Sequence, residues 1–501
     1  MKINKVIEIT LLVLIIGIFL LSRSIEVLNK NYLFGFDQGR DYLAIKSIVV
    51  DHKLTLIGSE VGAGAAGLNG IFQGPAYYYF LSIPFILTRG DPYSGIVLMF
   101  VFSILSIVFL YFLGKRILGA MGGLIAALLF ALSPMFIAQA RFVWNSNPST
   151  LFILLAIYFA YLGMKKNNKY IFLSSFFAGF VYNFQFAVSI PLSISIILFY
   201  IFIIKLKGIR KYLILFSGSA VAFLPMLLFE IRHGLMGIRG FLTYLFGHKE
   251  AGASFLPSQI IITDHISSFF NAFMDVFPKK IVSPELLLLI VLVPVIYYFW
   301  KEKDQNLKRF IGFLFLFFPI HFLVFLFFRN AIWVYYLIAL NVVYILFFSY
   351  SVASAFKRND QIIKILYAIF LFFVLIKTLP MLINVFNYDI RDYGGTAKIR
   401  GKIDALDFIY NDAKGNKFSL FIFSPPIYTY PYDYILWWHA REKFGYMPDS
   451  VKTGTFYLLI EKNISKLWWH QGWIDTVIRD GDVVWEKTLL NGFIVQKRVA
   501  K

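Results

Sequence analysis

The stretch Phe36-Asp37-Gln38-Gly39-Arg40-Asp41 decides how the rest of this chain is interpreted, because it places several charges beside a hydrophobic segment. It follows the apolar run 7–21 and precedes a further carboxylate, Glu60. Ionisable groups held close to lipid are costly to keep there, which makes them candidates for function. We therefore interpret the surrounding chain as a scaffold that positions this loop.

The composition is that of a membrane protein with many spans. Of the 501 residues, 59% are hydrophobic and only 15% are charged, whereas soluble domains have about 25% charged residues. The net charge of +20 comes largely from short basic loops, so the positive-inside rule explains it better than nucleic-acid binding does. The chain has no cysteine, which excludes disulfides, thiolate catalysis and cysteine-ligated metals.

Hydropathy predicts an α-helical polytopic membrane protein with about eleven transmembrane helices. Every loop assigned to the inside carries a Lys/Arg cluster, so we expect a multi-pass protein of the plasma membrane with a cytoplasmic N-terminus. No cleavage site follows the first span, which we expect to be retained. The predicted spans are 7–21, 95–113, 118–138, 151–164, 170–186, 188–204, 212–229, 286–300, 310–328, 333–350 and 362–382.

Two long loops and a C-terminal domain complete the predicted organisation. The membrane domain covers 1–384, with outer loops at 25–92 and 230–280, and the first loop contains interfacial helices at 41–50 and 77–87. Residues 385–501 are more polar and predict a small extracytoplasmic α/β domain. Its expected elements are a helix at 433–444 and strands at 418–423, 456–460, 483–486 and 493–497.

The first-loop carboxylates are the candidate catalytic residues. Asp37 and Asp41 lie four residues apart and would share one helical face, where they could act as a general base and as sugar or metal ligands. Together they could bind Mg²⁺ or Mn²⁺, although nothing in the sequence requires a metal. In the alternative interpretation, Asp37 caps a helix over 38–50 and Asp41 pairs with Arg40 or with solvent. Glu60 is a third candidate, beside a glycine-rich run at 62–67 that lacks the ending of a P-loop.

Basic side chains predicted on the outer side depart from the usual concentration of Lys and Arg in cytoplasmic loops. They therefore need an anionic partner. Arg232 and His233 follow a span, and an anionic phosphate at the membrane surface would suit them. The alternative is an ion pair of Arg232 with Glu230. Further cations of this kind are Arg239, Arg329 and Arg141.

The segment Gln73-Gly74-Pro75-Ala76-Tyr77-Tyr78-Tyr79 predicts a turn that leads into an aromatic interfacial helix. We take Gln73, Gly74, Pro75, Tyr77 and Tyr78 as a candidate substrate loop. An aromatic belt at the membrane surface would also explain the tyrosines.

Together, these motifs resemble the GT-C membrane glycosyltransferases. Within that fold, the chain resembles the branch that includes protein O-mannosyltransferases and the aminoarabinose transferase of lipid A, over about 380 residues. Relatives often have Asp-Glu where this chain has Asp37-Gln38, and His-Pro-Pro-x-Tyr-Tyr where it has residues 73–78. The resemblance therefore gives no histidine-based role to this turn.

The resemblance implies particular roles. Asp37 would be the catalytic carboxylate, with Asp41 or Glu60 as the second. The donor phosphate would be held by Arg232, His233 and Arg329, to which we add Arg40.

The implied activity is an inverting sugar transfer from a polyprenyl-phosphate donor to an extracytoplasmic acceptor, either a cell-envelope glycan, a lipid or a protein. A transporter or flippase for lipid-linked glycans is one alternative, but it predicts inverted repeats that the sequence lacks. A polysaccharide ligase and a receptor without chemistry are the other two.

Overall fold

The protein, seen in a computed structural model, is a helical bundle with a small C-terminal sheet. The structure describes residues 4–61, 70–246, 258–278, 282–328, 330–425, 428–463 and 465–500. The helices up to the last long apolar one are α1 Lys5–Arg23, α2 Ile25–Asn29, α3 Phe36–Val49, α4 Ala76–Leu87, α5 Tyr93–Leu118, α6 Ala120–Leu132, α7 Pro134–Ala140, α8 Ser149–Gly163, α9 Asn168–Phe180, α10 Phe186–Leu198, α11 Ile209–Ala222, α12 Leu224–Arg232, α13 Met236–Phe246, α14 Ser258–Met274, α15 Pro284–Lys301, α16 Gln305–Phe325, α17 Ile338–Arg358 and α18 Gln361–Asp389.

The helical content confirms the predicted multi-pass membrane protein, while the number of full-length spans is smaller than eleven. Within the described residues, seven helices are long and apolar enough to cross a membrane, or nine if two bent pairs each form one span. These pairs are α6 with α7, bent by 67°, and α11 with α12, bent by 65°.

All eleven predicted segments are helical over most of their length, but two are short. Helix α8 has 15 residues and α9 has 13, whereas about 20 residues are needed to cross the hydrocarbon core. The apolar run predicted at 170–186 contains a 3-10 turn, Val181–Asn183, which ends helix α9. Hydropathy alone does not reveal such a break.

Helix α17 is the centre of the bundle. It continues the 3-10 turn Val334–Leu337, and every residue of its most apolar 18-residue stretch is buried inside the protein. By contrast, only 22% of the most apolar 18-residue stretch of α1 is buried. Most bundle helices therefore keep a lipid-facing side, while α17 is enclosed by its neighbours.

The C-terminal domain, residues 390–500, begins after α18, which runs to Asp389 and so past the predicted boundary at 384/385. Its sheet has the order β1-β2-β4-β3; β1 and β2 are parallel, and the other pairs are antiparallel. The predicted strands are all present, and the predicted helix at 433–444 is interrupted by a π-turn. The elements are α19 Ile399–Ala413, β1 Ser419–Phe423, α20 Tyr430–Ile435, π-turn Leu436–Ala440, α21 Arg441–Phe444, β2 Thr455–Ile460, α22 Trp469–Trp473, π-turn Ile474–Ile478, β3 Asp482–Thr488 and β4 Ile494–Val499.

This domain packs directly on α3, the helix that begins with the charged stretch. Leu33 forms a β-bridge with Lys398, and the rings of Tyr42 and Tyr434 lie 5.0 Å apart. The closest approach is at Gly39, where an added Cβ would lie 2.3 Å from the backbone nitrogen of Pro431. The two parts of the chain therefore meet at the helix that carries Asp37.

We expect Gly39→Ala to destabilise this contact. The new methyl group would collide with backbone atoms, which cannot rotate away, and overpacking of this kind costs about 1–3 kcal/mol. The higher helix propensity of alanine offsets about 1 kcal/mol of that cost. The variant should show a lower Tm in detergent and faster proteolysis after α18.

Gly35→Ala is the matched control, because its Cβ would meet only the side chain of Gln38 at an ordinary 3.5 Å. Equal Tm values for the two variants would contradict close packing at Gly39.

Candidate active site

Helix α3 begins at Phe36, two residues before the start at Gln38 that capping by Asp37 would require. Gly35 is the N-cap, and its N–H donates to Oε1 of Gln38 at 2.9 Å. Nε2 of Gln38 donates to the carbonyl of Val143 at 2.7 Å and so ties the helix start to the bundle. The alternative interpretation of Asp37 as a cap is therefore wrong, and its carboxylate lies in the first turn of the helix.

Arg40 lies between the two aspartates. Its guanidinium is 2.9 Å from Oδ1 of Asp37 and 2.8 Å from Oδ1 of Asp41. The side chain of Asp37 is 40% exposed, while that of Asp41 is 1% exposed. The structure confirms the predicted pairing of Asp41 with Arg40, and it leaves Asp37 as the carboxylate that a substrate can reach.

Asp41 is held in an apolar environment. Burial raises the pKa of Asp41 to about 6, and the nearby Arg40 limits this rise. The Tyr78 hydroxyl donates to Oδ1 at 3.2 Å, whereas Oδ2 has no hydrogen-bond partner within the described residues. The hydroxyl of Tyr77, also buried, likewise has none there. Unpaired buried polar atoms of this kind are rare in folded proteins.

The candidate substrate loop is a tight turn against the 3-10 turn after α9. Gln73 donates to Oε1 of Gln185 at 2.9 Å and accepts from the N–H of Phe186 at 2.6 Å. A Cβ at Gly74 would lie 2.3 Å from the Asn183 side chain, so only glycine fits there. The turn thereby fixes the start of α4, which carries Tyr77 and Tyr78.

An apolar cavity of about 450 Å³ opens beside this turn. Its walls come from the first loop and from α10, α13 and α16. Its lining residues include Ile71, Phe186, Ala187, Phe241, Leu323 and Phe328. A cavity with so few polar groups suits a hydrocarbon chain.

Aromatic side chains without a signal in the sequence extend from this cavity to Tyr335. Phe328 lines the cavity and lies 5.7 Å from the ring of Tyr336, which is 4.8 Å from Tyr335. Tyr335 in turn lies within electrostatic range of Asp37. These tyrosines follow α16 by about ten residues, and no spacing in the sequence relates them to the first loop.

Two tyrosines of the C-terminal domain also reach the start of α3. The ring of Phe36 lies 5.4 Å from Tyr428 and 5.3 Å from Tyr430. Tyr428 is 54% exposed, so part of its ring remains available beside the charged stretch. The sequence contains no signal for this contact, because it depends on docking of a separate domain.

Glu60 has a structural position. Its Oε1 accepts the N–H of Gly70 at 2.6 Å, and Glu60 forms an isolated β-bridge with Phe72. Within the described residues it makes no hydrogen bond or ion pair with Asp37, Arg40 or Asp41. The glycine-rich run at 62–67 lies outside the described residues.

The candidate phosphate-binding residues occupy different places. Arg232 and His233 are exposed at the end of α12, where Phe229 packs between His233 and Phe72 of the first loop. Glu230 accepts the N–H groups of Gly237 and Ile238 and forms no ion pair with Arg232 in the described chain. Arg329 lies outside the described residues.

Arg141, another of the cations predicted on the outer side, forms ion pairs within the protein. It binds Glu26 at 2.7 Å and Asp389 at 2.6 Å, which joins α2 to the end of α18. A free role in phosphate binding does not fit these contacts.

The predicted metal pair, Asp37 and Asp41, holds a guanidinium where a cation would have to sit. No group of three or more His, Cys, Asp or Glu side chains in the described parts of the chain could hold a metal ion. The donor set therefore does not fit a divalent cation in this arrangement.

Comparisons with known proteins agree with the architecture. Residues 73–229 match the family described as dolichyl-phosphate-mannose-protein mannosyltransferase. A search of curated proteins finds no match.

Two solved structures of ArnT from Cupriavidus metallidurans are similar over nearly the whole chain. The one bound to undecaprenyl phosphate has a TM-score of 0.55 and 9% identity, covering 98% of this chain and 97% of that one. The apo structure has a TM-score of 0.54 and 12% identity, with the same coverage. At this identity the likeness concerns the fold, and it confirms what the first-loop motifs predicted. The protein is a multi-pass membrane protein with the GT-C fold.

Proposed function

We propose that this protein is a membrane glycosyltransferase that transfers a sugar from a polyprenyl-phosphate donor to an extracytoplasmic acceptor. One observation supports it most strongly: a half-exposed carboxylate, Asp37, lies within electrostatic range of Tyr335, whose neighbour Tyr336 packs against the wall of an apolar cavity of about 450 Å³. The GT-C fold and the partial family match agree with this activity. The C-terminal domain and the first loop would face the extracytoplasmic side.

The cavity would receive the lipid of the donor. Its apolar walls lie between transmembrane helices α10 and α16, so a polyprenyl chain could enter from the bilayer. Arg232 and His233 lie on the corner between α12 and α13, and α13 also lines the cavity. We assign them to the donor phosphate, with Arg329 as a further candidate.

The chemistry is a single displacement at the anomeric carbon. Asp37 takes the proton of the acceptor hydroxyl as that oxygen bonds to the anomeric carbon. The bond from this carbon to the phosphate oxygen breaks, and the lipid phosphate leaves with the electron pair. Because attack and departure occur on opposite faces, the anomeric configuration is inverted. Nearby cations stabilise the charge on the leaving phosphate.

Arg40 and Asp41 position Asp37 in this mechanism. Asp41 is too buried to reach a substrate, but it orients Arg40, which holds one oxygen of Asp37 in place. Tyr78 ties the pair to α4 and thus to the substrate loop. Because Arg40 already neutralises one aspartate, we derive no step through a metal ion and expect a chelator to leave the transfer rate unchanged.

The test is sugar transfer in proteoliposomes with a panel of labelled polyprenyl-phosphate sugars and extracted cell-envelope acceptors. Transfer by the wild-type protein would establish the enzyme. If no donor supports transfer, but the same lipids are flipped across the membrane, the protein is a transporter. Transfer only from pyrophosphate-linked oligosaccharides would identify a ligase.

We expect Ala187→Phe to weaken donor binding. Ala187 lines the cavity, and a phenyl ring there would fill space that the lipid chain needs. The KM for the donor should rise roughly tenfold or more, since one or two misplaced methylene equivalents have effects of this size. The kcat at saturating donor should change little.

Ala220→Phe is the matched control, because Ala220 is exposed on α11 and does not line the cavity. An unchanged KM in Ala187→Phe would remove this cavity from donor binding.

A further inference from the structure

A second pocket lies where the end of α4 meets the C-terminal domain. It has a volume of about 270 Å³ and is lined by Arg89, Trp437, Trp438, Arg441 and Glu442. It shares no lining residue with the apolar cavity beside the substrate loop. It is thus a separate place for a ligand.

The two arginines of this pocket have no partner of their own. Neither guanidinium forms an ion pair or a hydrogen bond within the described residues. With Glu442 as the single acidic residue, the lining has two positive charges and one negative charge, a net charge of +1. Such a pocket favours an anion, and paired arginines match the oxygens of a phosphate.

The walls of the pocket are rigid. The ring of Phe85 stacks on Trp437 at 6.0 Å with an interplanar angle of 9°. The Tyr434 hydroxyl donates to the carbonyl of Gly90 at 2.5 Å. Arg89 itself has a φ of +52°, a conformation that is unfavourable for a residue with a Cβ. The chain thus holds an arginine in a strained backbone position beside a preformed surface.

The pocket lies close to the start of a candidate membrane span, and exposed aliphatic side chains precede Arg89 in the chain. Helix α5, a candidate span, begins at Tyr93, four residues after Arg89. On the N-terminal side of Arg89, the α4 side chains of Ile83, Ile86 and Leu87 are 59%, 60% and 78% exposed. Tryptophans are typical of the membrane–water interface, where such a span begins.

We propose that this pocket binds the phosphate headgroup of an anionic phospholipid. Arg89 and Arg441 contact the phosphate, the two tryptophans contact the glycerol region, and the acyl chains lie on Ile83, Ile86 and Leu87. A free phosphate would use the arginines but not the aliphatic surface. Bound lipid would connect α4 to the C-terminal domain and so brace the helices around Asp37.

The test uses quenching of tryptophan fluorescence by brominated lipids in vesicles that contain the full-length protein. We expect dibrominated phosphatidylglycerol, diluted into phosphatidylcholine, to quench more than dibrominated phosphatidylcholine at the same dilution. The apparent affinity for phosphatidylglycerol is obtained from the excess quenching. It should fall roughly fivefold in each of Arg89→Gln and Arg441→Gln, since a basic residue at the surface contributes about this factor. A Trp437→Phe/Trp438→Phe variant should lose the excess quenching.

Two controls make the result specific. Arg391→Gln removes an exposed cation near the end of α18, outside the pocket, and should keep the excess quenching. Glu442→Gln should increase the excess quenching, because this substitution removes the negative charge from the lining of the pocket. Equal excess quenching in the wild type and in the double variant Arg89→Gln/Arg441→Gln would overturn the proposal, and so would displacement of the lipid by millimolar inorganic phosphate. Neither readout depends on sugar transfer.

Discussion

Asp37→Asn should nearly abolish sugar transfer, with a loss of about 10²–10⁴-fold in rate, the range typical of a positioned general base. The amide keeps the shape of the side chain but cannot take the proton of the acceptor hydroxyl. Asp37 lies half-exposed at the start of α3, within electrostatic range of Tyr335. The measurement is the initial rate in proteoliposomes at saturating donor, with folding verified from an unchanged Tm.

Asp51→Asn is the control for a change of charge near the same helix. Asp51 is exposed just beyond the end of α3, where its carboxylate lies 3.4 Å from Lys46, and the variant should keep its full rate. Full activity in Asp37→Asn, together with loss in Glu60→Gln, would move the catalytic role to Glu60. Loss in neither variant would argue against a carboxylate base in this loop.

Arg40→Gln should cause the largest loss of stability. It would leave Asp41, with 1% of its side chain exposed, without its cation in an apolar environment. Removing one partner of a buried ion pair costs about 3–5 kcal/mol. The Tm of the variant in detergent should therefore fall well below that of the wild type at neutral pH.

The pH dependence of this loss has a definite sign. In the wild type the pKa of Asp41, raised by burial to about 6, exceeds its ordinary value, so the folded state binds this proton more tightly than the unfolded state. The stabilisation from that proton is complete below about pH 4 and is lost as the pH rises through 6. Without Arg40 the pKa of Asp41 rises further, so the deficit of the variant should be largest above pH 7 and smallest near pH 4.

The double variant Arg40→Gln/Asp41→Asn removes both charges together. It should recover most of the lost stability, because replacing both partners leaves no unpaired buried charge. A double variant as unstable as Arg40→Gln would show that the arginine stabilises α3 through its other contacts, such as the ring of Phe36 at 5.7 Å.

These expectations give the first loop two distinct parts. In the proposed mechanism Asp37 meets the substrate, while Arg40, Asp41 and Tyr78 form a support that connects α3 to α4. The support explains why two aspartates in one helical turn differ so strongly in exposure.

Several features follow from local sequence alone. Apolar runs of helical length predict membrane-spanning helices, because each backbone N–H and C=O group inside a bilayer has to be hydrogen-bonded within its own segment. The i, i+4 spacing of Asp37 and Asp41 places both on one side of α3, and the structure shows them on the same arginine. Alternating and continuous apolar runs likewise predicted all four strands of the C-terminal sheet.

Other features were decided by tertiary structure. Glu60 and Asp41 looked equivalent as second carboxylates, yet one holds a loop closed and the other is buried, because exposure depends on what packs against each residue. Tyr335 and Tyr428 reach the charged stretch from about 300 and 390 residues further along the chain. Sequence periodicity describes neighbours within one helix or strand, whereas an active site between separate elements is set by the docking of whole surfaces, which only the fold reveals.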